Sequence, residues 1–221
     1  LWSEQYLKGA TIDSLIKYGL DETDYFSSKD FNSSDLQFYN LPDTNEMNNK
    51  GIIFRWFSYY KHWIPQDNYY YASEHVDFEA NPSGRSEGTY SKYASLDDQF
   101  DGFHFYLAFI KFGIGRATAD CSHEIRDGHI DREEAAVLVK KFDGEFPKKW
   151  YKEFLDYLNI NEETFWECIE KFRSKNTWEY KNGKWCIKKS VWEDYQFDIE
   201  PGYMKLPDGS QEIIDKILNK K

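Results

Sequence analysis

The sequence has little positive charge and no long apolar run. Its 221 residues include 28 Lys and Arg against 39 Asp and Glu, which gives a formal net charge of −11. A nucleic-acid binder needs a basic surface to neutralise phosphates, so we expect no nucleic acid among the partners. No apolar stretch approaches the roughly 20 residues of a membrane-spanning helix, so we expect no membrane. An aromatic fraction of 19% excludes a disordered chain. The composition predicts a folded globular domain.

Cysteine is scarce, and histidine pairs are missing. Cys121, Cys168 and Cys186 match neither a disulfide framework nor a Cys-x-x-Cys metal site, which favours a reducing compartment, the cytoplasm. No two histidines stand four residues apart, so the sequence predicts no metal site. The chain starts at Leu1 with no signal peptide after it, and we expect a fragment that has lost its natural beginning.

Apolar spacing, cap residues and turn residues predict a mostly helical chain. Asp131 and Glu134 form a capping box at a helix start, and Asn182-Gly183 favours the type I′ turn of a hairpin. The stretch 72–101 has no apolar period long enough for an element ahead of the helix at Phe100, which predicts a loop or a linker. The predicted elements are a short helix at 6–19, a buried strand at 51–60, a buried helix at 100–112, helices at 131–142, 149–158 and 162–172, a hairpin at 178–187 and a final helix at 211–221.

The segment Arg85–Asp98 is the first candidate for an anion site. It combines a guanidinium, the ammonium of Lys92, several hydroxyls and Gly88, whose backbone can approach a phosphate closely. The alternative is a solvated loop in which Thr89 or Ser95 caps a following helix.

The turn at residues 111–118 is the second candidate. Arg116 could clamp a phosphate or carboxylate with two parallel hydrogen bonds. The alternative is a helix C-cap in which Arg116 pairs with Asp120 or Glu124.

Other reactive residues favour structural interpretations. Cys121 and His123 stand two apart, so they point away from each other on a helix, and a catalytic pair is disfavoured. Asp97, Asp98 and Asp101 could bind magnesium or act as bases, but a polar start to the helix at Phe100 is the favoured reading. The aromatic residues of segments 59–63 and 69–71 could stack on a base or sugar, although core packing is favoured.

Taken in order, five motifs resemble the bacterial N-acetyl sugar amidotransferases of lipopolysaccharide and flagellin sugar biosynthesis. The resemblance is strongest between residues 54 and 172. The motifs are YYYASE at 69–74, RSEGTYSKYASLDD at 85–98, FGIGRAT at 112–118, EIRDGHI at 124–130 and the helix from Arg132 to the FDG at 142–144.

The resemblance implies an α/β fold, the C-terminal portion of a Rossmann-like, PP-loop ATP pyrophosphatase (adenine nucleotide alpha hydrolase-like) domain. Residues 1–125 would form its distal part, 126–175 a helical lobe, and 176–221 the hairpin and tail. The implied ligase converts the acetamido group of a sugar into an acetamidino group in the cytoplasm. It uses ATP and Mg²⁺, with ammonia from a glutaminase subunit of the histidine-biosynthesis type.

The resemblance also implies roles for individual residues. The implied catalytic residues are Lys92 and Arg116, those for ATP and pyrophosphate are Glu87, Gly88, Thr89, Ser91 and Lys92, and those for the acetamido sugar are Arg85, Tyr90, Arg116 and Thr118.

The sequence departs from this family in one respect. It contains neither the Ser-Gly-Gly-x-Asp-Ser phosphate loop nor the cysteine pair expected ahead of it. We expect both upstream of Leu1 and expect the isolated fragment to be inactive. The alternative function is a non-catalytic protein-interaction domain with a basic partner. A tRNA-modifying ATP pyrophosphatase is disfavoured because the chain lacks a basic surface.

Overall fold

The computed structural model describes residues 43–220, and the predicted helix at 6–19 lies outside them. The chain divides into two compact units, residues 1–63 and 64–221. In the first unit, helix α1 (Thr44–Asn49) begins where the Asp43 carboxylate accepts a hydrogen bond from the backbone of Glu46 at 2.8 Å. A single helical turn, α2 (Phe57–Tyr60), follows.

The prediction of a buried strand at 51–60 is wrong. Residues 52–56 are irregular and residues 57–60 are helical, with Ile53 and Phe57 64% and 65% exposed. β-Branched and aromatic residues favour a strand when a neighbouring strand pairs with the backbone and buries one face. Within residues 43–220 the only strand pairing lies in the hairpin near residue 180, so this run has no such neighbour.

The second unit consists mainly of helices joined by short turns. Helix α3 was not predicted; it starts with Pro65, whose fixed φ suits the first position of a helix. The helices are α3 (Pro65–His75), α4 (Asp101–Phe112), α5 (Arg116–Asp127), α6 (Arg132–Phe142), α7 (Tyr151–Leu158), α8 (Glu162–Phe172) and α9 (Ser210–Asn219), with 3₁₀ turns at Lys148–Trp150 and Gly202–Met204.

Local sequence signals set several helix ends as predicted. The capping box is present: Asp131 accepts from the backbone of Glu134, and the Glu134 carboxylate accepts from the backbone of Asp131, both at 2.9 Å. Asn161 caps α8, and Gly113 ends α4 with a left-handed φ of 73°. The predicted helices at 100–112, 131–142, 149–158, 162–172 and 211–221 are therefore confirmed to within a few residues.

Aromatic side chains fill the core of the second unit. Helix α4 supplies one wall, and Phe103 stacks on Phe154 with ring centroids 3.9 Å apart. Phe146 lies between α4 and α8 and stacks on Trp166. The buried core residues are Phe103, Tyr106, Phe109, Ile110, Phe146, Tyr151, Leu155, Phe165, Trp166, Ile169, Trp178, Tyr203, Ile214 and Ile217.

The predicted hairpin is confirmed and is anchored to this core. Strands β1 (Trp178–Lys181) and β2 (Lys184–Ile187) pair antiparallel, and the Asn182-Gly183 turn has positive φ values of 51° and 75°. The Trp178 indole donates a hydrogen bond to the carbonyl of Ile110 at 2.8 Å. This hydrogen bond ties β1 to the C-terminal end of α4.

The described residues are thus mainly helical with one small antiparallel sheet, a composition compatible with α/β. A Rossmann-like domain would need a parallel sheet, which residues 43–220 do not contain, so that part of the expected fold stays a prediction. The domain boundaries expected at 125/126 and 175/176 also stay predictions. No helix between residues 43 and 220 is both long and apolar enough to span a membrane.

Candidate functional site

Helix α5 begins on a buried carboxylate from a distant part of the chain. Asp143, which is 1% exposed, accepts hydrogen bonds from the backbone N–H groups of Gly115 at 3.1 Å and Thr118 at 3.2 Å, and from the Thr118 hydroxyl at 2.5 Å. Burial raises the pKa of Asp143, and these hydrogen bonds oppose the rise. The first N–H groups of a helix lack internal partners and attract anions. Asp143 therefore fills the position that a phosphate would take.

Arg85 is paired with a second carboxylate beside Asp143. Its guanidinium binds both oxygens of Glu145, at 2.6 and 2.9 Å, and packs over the Phe142 ring at 4.6 Å. The same guanidinium donates to the carbonyl of Thr89 at 3.1 Å, which holds the loop in place. This bidentate arrangement uses the geometry that would otherwise clamp a phosphate.

Arg116 and Thr89 share a third carboxylate. The Arg116 Nε atom donates to Asp120 at 2.8 Å, and the fully buried Thr89 hydroxyl donates to the other Asp120 oxygen at 2.6 Å. The backbone of Ala117 donates to the carbonyl of Gly88 at 3.1 Å. The pairing of Arg116 with Asp120, one of the two structural alternatives for this arginine, is confirmed.

Tyr90 continues this network along α5. Its hydroxyl donates to Glu124 at 3.1 Å, and burial raises its pKa. Burial also raises the pKa of the neighbouring Cys121 thiol to about 11, and the Cys121 Sγ atom lies 3.7 Å from the carbonyl of Ala135. His123 instead lies 2.9 Å from Arg126, so Cys121 and His123 have different partners.

We call this network the polar junction; it comprises loop 85–90, residues 115–124 at the start of α5, and turn 143–145. It brings together Arg85, Gly88, Thr89, Tyr90, Arg116 and Thr118, all predicted site residues. Sequence reasoning missed the buried acceptor Asp143 and the half-buried acceptor Glu145, because they lie far along the chain from the donors that they bind.

The remaining predicted residues, Glu87, Ser91 and Lys92, donate none of the hydrogen bonds to the junction's carboxylates. Lys92 is exposed, and its ammonium has no hydrogen bond or ion pair within residues 43–220. The Ser91 hydroxyl accepts from the backbone of Tyr93 at 3.3 Å, and Glu87 accepts a long hydrogen bond from the backbone of Lys149. Lys92 and Arg116 thus share no partner within residues 43–220, and the roles assigned to both stay predictions.

A groove of about 540 Å³ lies beside the junction. Its walls come from segments 81–87 and 95–102, from Lys149 and Trp150 just before α7, and from Tyr157 near the end of α7. The lining combines aromatic side chains with polar ones; these are Phe100, Trp150 and Tyr157, and Ser95, Asp97, Asp98 and Gln99. We call it the aromatic groove.

Asp98 and Asp101 stabilise the start of α4, as the favoured interpretation predicted. Asp98 accepts a hydrogen bond from the backbone of Phe100 at 2.8 Å, and Asp101 lies in the first turn of the helix.

No cluster of three or more His, Cys, Asp or Glu side chains with the spacing of a metal site occurs in the part of the chain that the structure describes.

Part of the chain, from the polar junction onward, matches a protein-family model. Residues 87–191 match a lipopolysaccharide biosynthesis domain. The matching family is described as LPS biosynthesis protein WbpG-like, C-terminal domain. No curated protein matches the chain. The match covers most of the junction, part of the aromatic groove and helices α4 to α8, and it supports a role in lipopolysaccharide biosynthesis.

Proposed function

We propose that this chain is the C-terminal part of an ATP-dependent N-acetyl sugar amidotransferase of lipopolysaccharide biosynthesis. The observation that carries the proposal is the match of residues 87–191 to the WbpG-like C-terminal domain. The five motifs shared with the sugar amidotransferases lie largely inside that stretch and supply the reaction class.

The proposed reaction replaces one oxygen of the sugar by nitrogen. An amide is a poor electrophile, so its oxygen first attacks the α-phosphorus of ATP and pyrophosphate leaves. Ammonia then adds to the activated carbon, and AMP departs with the former amide oxygen. The product is an acetamidino group, and a glutaminase subunit supplies the ammonia.

In this conformation, donors of the polar junction bind carboxylates of the same chain. Arg85 is neutralised by Glu145, the Thr89 hydroxyl is committed to Asp120, and Asp143 occupies the helix terminus. The roles predicted for Arg85 and Thr89 toward the sugar and ATP stay predictions. Lys92 is the cation of the predicted set that is open to solvent.

Isotope transfer tests the reaction in the natural gene product, purified from its own cells with a C-terminal tag. The reactants are ATP, nitrogen-15 ammonium and a mixture of nucleotide-linked acetamido sugars carrying oxygen-18 in the acetyl group. We expect oxygen-18 in AMP and nitrogen-15 in the sugar. Oxygen-18 retained in the sugar during ATP turnover would refute the proposal.

Two variants separate the roles of the predicted catalytic residues. Lys92→Ala is expected to slow pyrophosphate release without changing thermal stability, because its ammonium has no partner within residues 43–220. Arg116→Ala is expected to lower stability, because it removes the ion pair to Asp120. If both leave sugar-dependent pyrophosphate release unchanged, the catalytic assignment is wrong.

An exposed apolar face favours a second candidate, a protein-interaction domain. Phe112 and Phe172 are 63% and 51% exposed, and with Leu107 and Phe154 they line an apolar groove of about 440 Å³. Exposed apolar patches often mark protein contacts. Under this candidate, Phe112→Ser would abolish association with a partner, whereas the isotope transfer above would not occur.

A further inference from the structure

We propose that the aromatic groove binds the pyranose ring of the acetamido sugar; this inference rests on the proposed function and deepens it. The predicted sugar residues Tyr90, Arg116 and Thr118 lie in the polar junction with internal partners. The groove beside them instead presents side chains that are open to a ligand.

The size and walls of the groove suit a sugar ring. Its volume of about 540 Å³ falls within the range of small-ligand clefts, roughly 300–1,000 Å³. A pyranose has apolar C–H faces and a rim of hydroxyl groups. Aromatic rings attract C–H groups through their negative faces, and carboxylate and amide oxygens accept hydrogen bonds from hydroxyls. The groove offers both kinds of surface.

Tyr157 is the most exposed of the three aromatic residues that line the groove. It is 75% exposed on α7, and its ring centroid lies 5.6 Å from that of Phe100. Trp150 directly precedes α7, and the Lys149 ammonium lies 4.9 Å from the centroid of its ring. A ring that enters the groove would cover Tyr157 and replace its contact with water.

The acidic residues that line the groove have carboxylate oxygens without a partner in the described part of the chain. The Asp97 carboxylate is exposed and has no hydrogen bond or ion pair in the described part of the chain. Asp98 uses one oxygen to accept from the backbone of Phe100, which leaves the second oxygen available. Adjacent hydroxyls of a pyranose provide donors for both carboxylates.

Charge favours an uncharged ring over a phosphate in this groove. The lining acids are Glu87, Asp97 and Asp98, and the lining bases are Arg85 and Lys149. Since Arg85 is neutralised by Glu145 outside the groove, the acids exceed the free cations. A diphosphate would meet net repulsion here, so we place the sugar ring in the groove and any nucleotide outside it.

Binding of simple glycosides to the 221-residue chain tests this inference without ATP. The probes are methyl glycosides of N-acetylglucosamine, N-acetylgalactosamine and N-acetylmannosamine, observed by saturation-transfer NMR and titrated through tryptophan fluorescence. We expect at least one to bind. Tyr157→Ala should weaken that binding about fivefold through the lost ring contact, and Asp97→Asn about tenfold through the lost charged acceptor.

Matched variants control for unspecific effects. Tyr71→Ala removes another exposed tyrosine, from α3, which does not line the groove, and Asp194→Asn neutralises an acid that also lies outside it. Both should bind as the parent does. Tyr157 and Asp97 are exposed, so their variants should keep the parent melting temperature, and a loss of binding is then not a loss of folding.

Three results would overturn the inference: no glycoside binds the parent, the two groove variants bind as tightly as the two controls, or inorganic pyrophosphate displaces the glycoside. Isotope transfer to AMP combined with unchanged groove variants would keep the proposed function and refute the groove. Glycoside binding lost in the groove variants, with no isotope transfer, would keep the groove and refute the reaction.

Discussion

The polar junction and the aromatic groove both contain carboxylates, but the two regions differ in whether those carboxylates have partners within the chain. In the junction, Asp143 accepts from the start of α5, and Arg85 is held by both oxygens of Glu145. In the groove, the Asp97 carboxylate and the Tyr157 ring face solvent. The first region uses its chemistry to join segments far apart in sequence, and the second leaves its chemistry open to a ligand.

This difference shows that the donors of a motif typical of anion binding can instead bind carboxylates of the same chain. A glycine, hydroxyls and an arginine in one loop satisfy the chemical needs of a phosphate. A carboxylate of the same chain can accept hydrogen bonds from those donors equally well, and no ligand is then needed. Free donors or acceptors decide whether a polar cluster binds, and the structure places them in the groove and at Lys92.

The largest effect is expected from Gly144→Ala, which should break the junction through its backbone. Gly144 has a φ of +69°, and an added Cβ would overlap the Phe109 ring and lie 2.8 Å from Tyr203 Cβ. We expect a loss of about 4 kcal/mol in the free energy of unfolding, measured by urea denaturation, because positive φ and overpacking add.

Gly128→Ala is the matched control for this variant. Gly128 has a φ of +77°, but an added Cβ meets nothing within 4 Å. Its loss should stay near 1 kcal/mol, the strain of the left-handed region alone. Equal losses for the two alanine variants would show that contact with the core does not matter at Gly144.

Asp143→Ala should come next, because it removes the carboxylate that caps α5. It leaves the Gly115 and Thr118 donors buried without an acceptor. The expected loss is about 3 kcal/mol, the range for charged hydrogen bonds broken inside a protein. Asp194→Ala removes an exposed acid and should change the free energy of unfolding by less than about 0.5 kcal/mol. A loss as small for Asp143→Ala would mean that α5 does not depend on this cap.

A double-mutant cycle of Arg85→Ala and Glu145→Ala measures the coupling energy of an ion pair within the junction, and a smaller effect is expected. The pair is bidentate and its side chains are only 30% and 19% exposed, so we expect a coupling energy of about 1.5 kcal/mol. The Lys220–Glu163 pair has a similar contact of 2.9 Å but is solvent-exposed. Its cycle should show no measurable coupling, since exposed pairs are screened. Equal coupling in the two pairs would contradict the special role of the junction.

Local signals in the sequence predicted much of the helical scaffold. The capping box at Asp131, the cap at Asn161 and the Asn182-Gly183 turn act between residues that are neighbours along the chain, and the structure has all three. The buried helix at 100–112 was also predicted, because a long apolar run between polar segments has few other solutions.

Elements that depend on distant partners were predicted poorly. The run at 51–60 has strand-forming residues but no pairing strand among those described, and it is irregular and helical. Helix α5 was missed, although Ala117, Cys121 and Ile125 repeat every four residues, because Gly113 and Gly115 in front of it resemble an ordinary turn. Its first turn depends on Asp143, which is 25 residues from Thr118.

The residues of the candidate site were likewise predicted where the signal was local and missed where it depended on distant partners. The sequence identified the donors of loop 85–90 and of Arg116, and it named Asp120 among the acceptors of Arg116. It did not identify Asp143 or Glu145, because a carboxylate far along the chain can be matched to a donor only once the fold brings them together. The aromatic groove combines Asp97 with Tyr157, which are sixty residues apart and carry no shared motif. Only the packing of α4 against α7 reveals that they line one surface.

The smallest perturbation is thiol labelling, which measures whether Cys121 in the junction is accessible to solvent. Cys121 is buried beside Tyr90, and burial raises its pKa to about 11, whereas Cys168 on α8 is exposed. Because the thiolate is the reactive form, iodoacetamide at pH 8 should label Cys168 in the folded protein and leave Cys121 unmodified. Labelling at Cys121 should rise only as the pH approaches 11 or when urea unfolds the chain, and peptide mass spectrometry reports each site separately. Rapid labelling of Cys121 at pH 8 would show that the junction opens to solvent, and its hydrogen-bonded donors would then be accessible to a ligand after all.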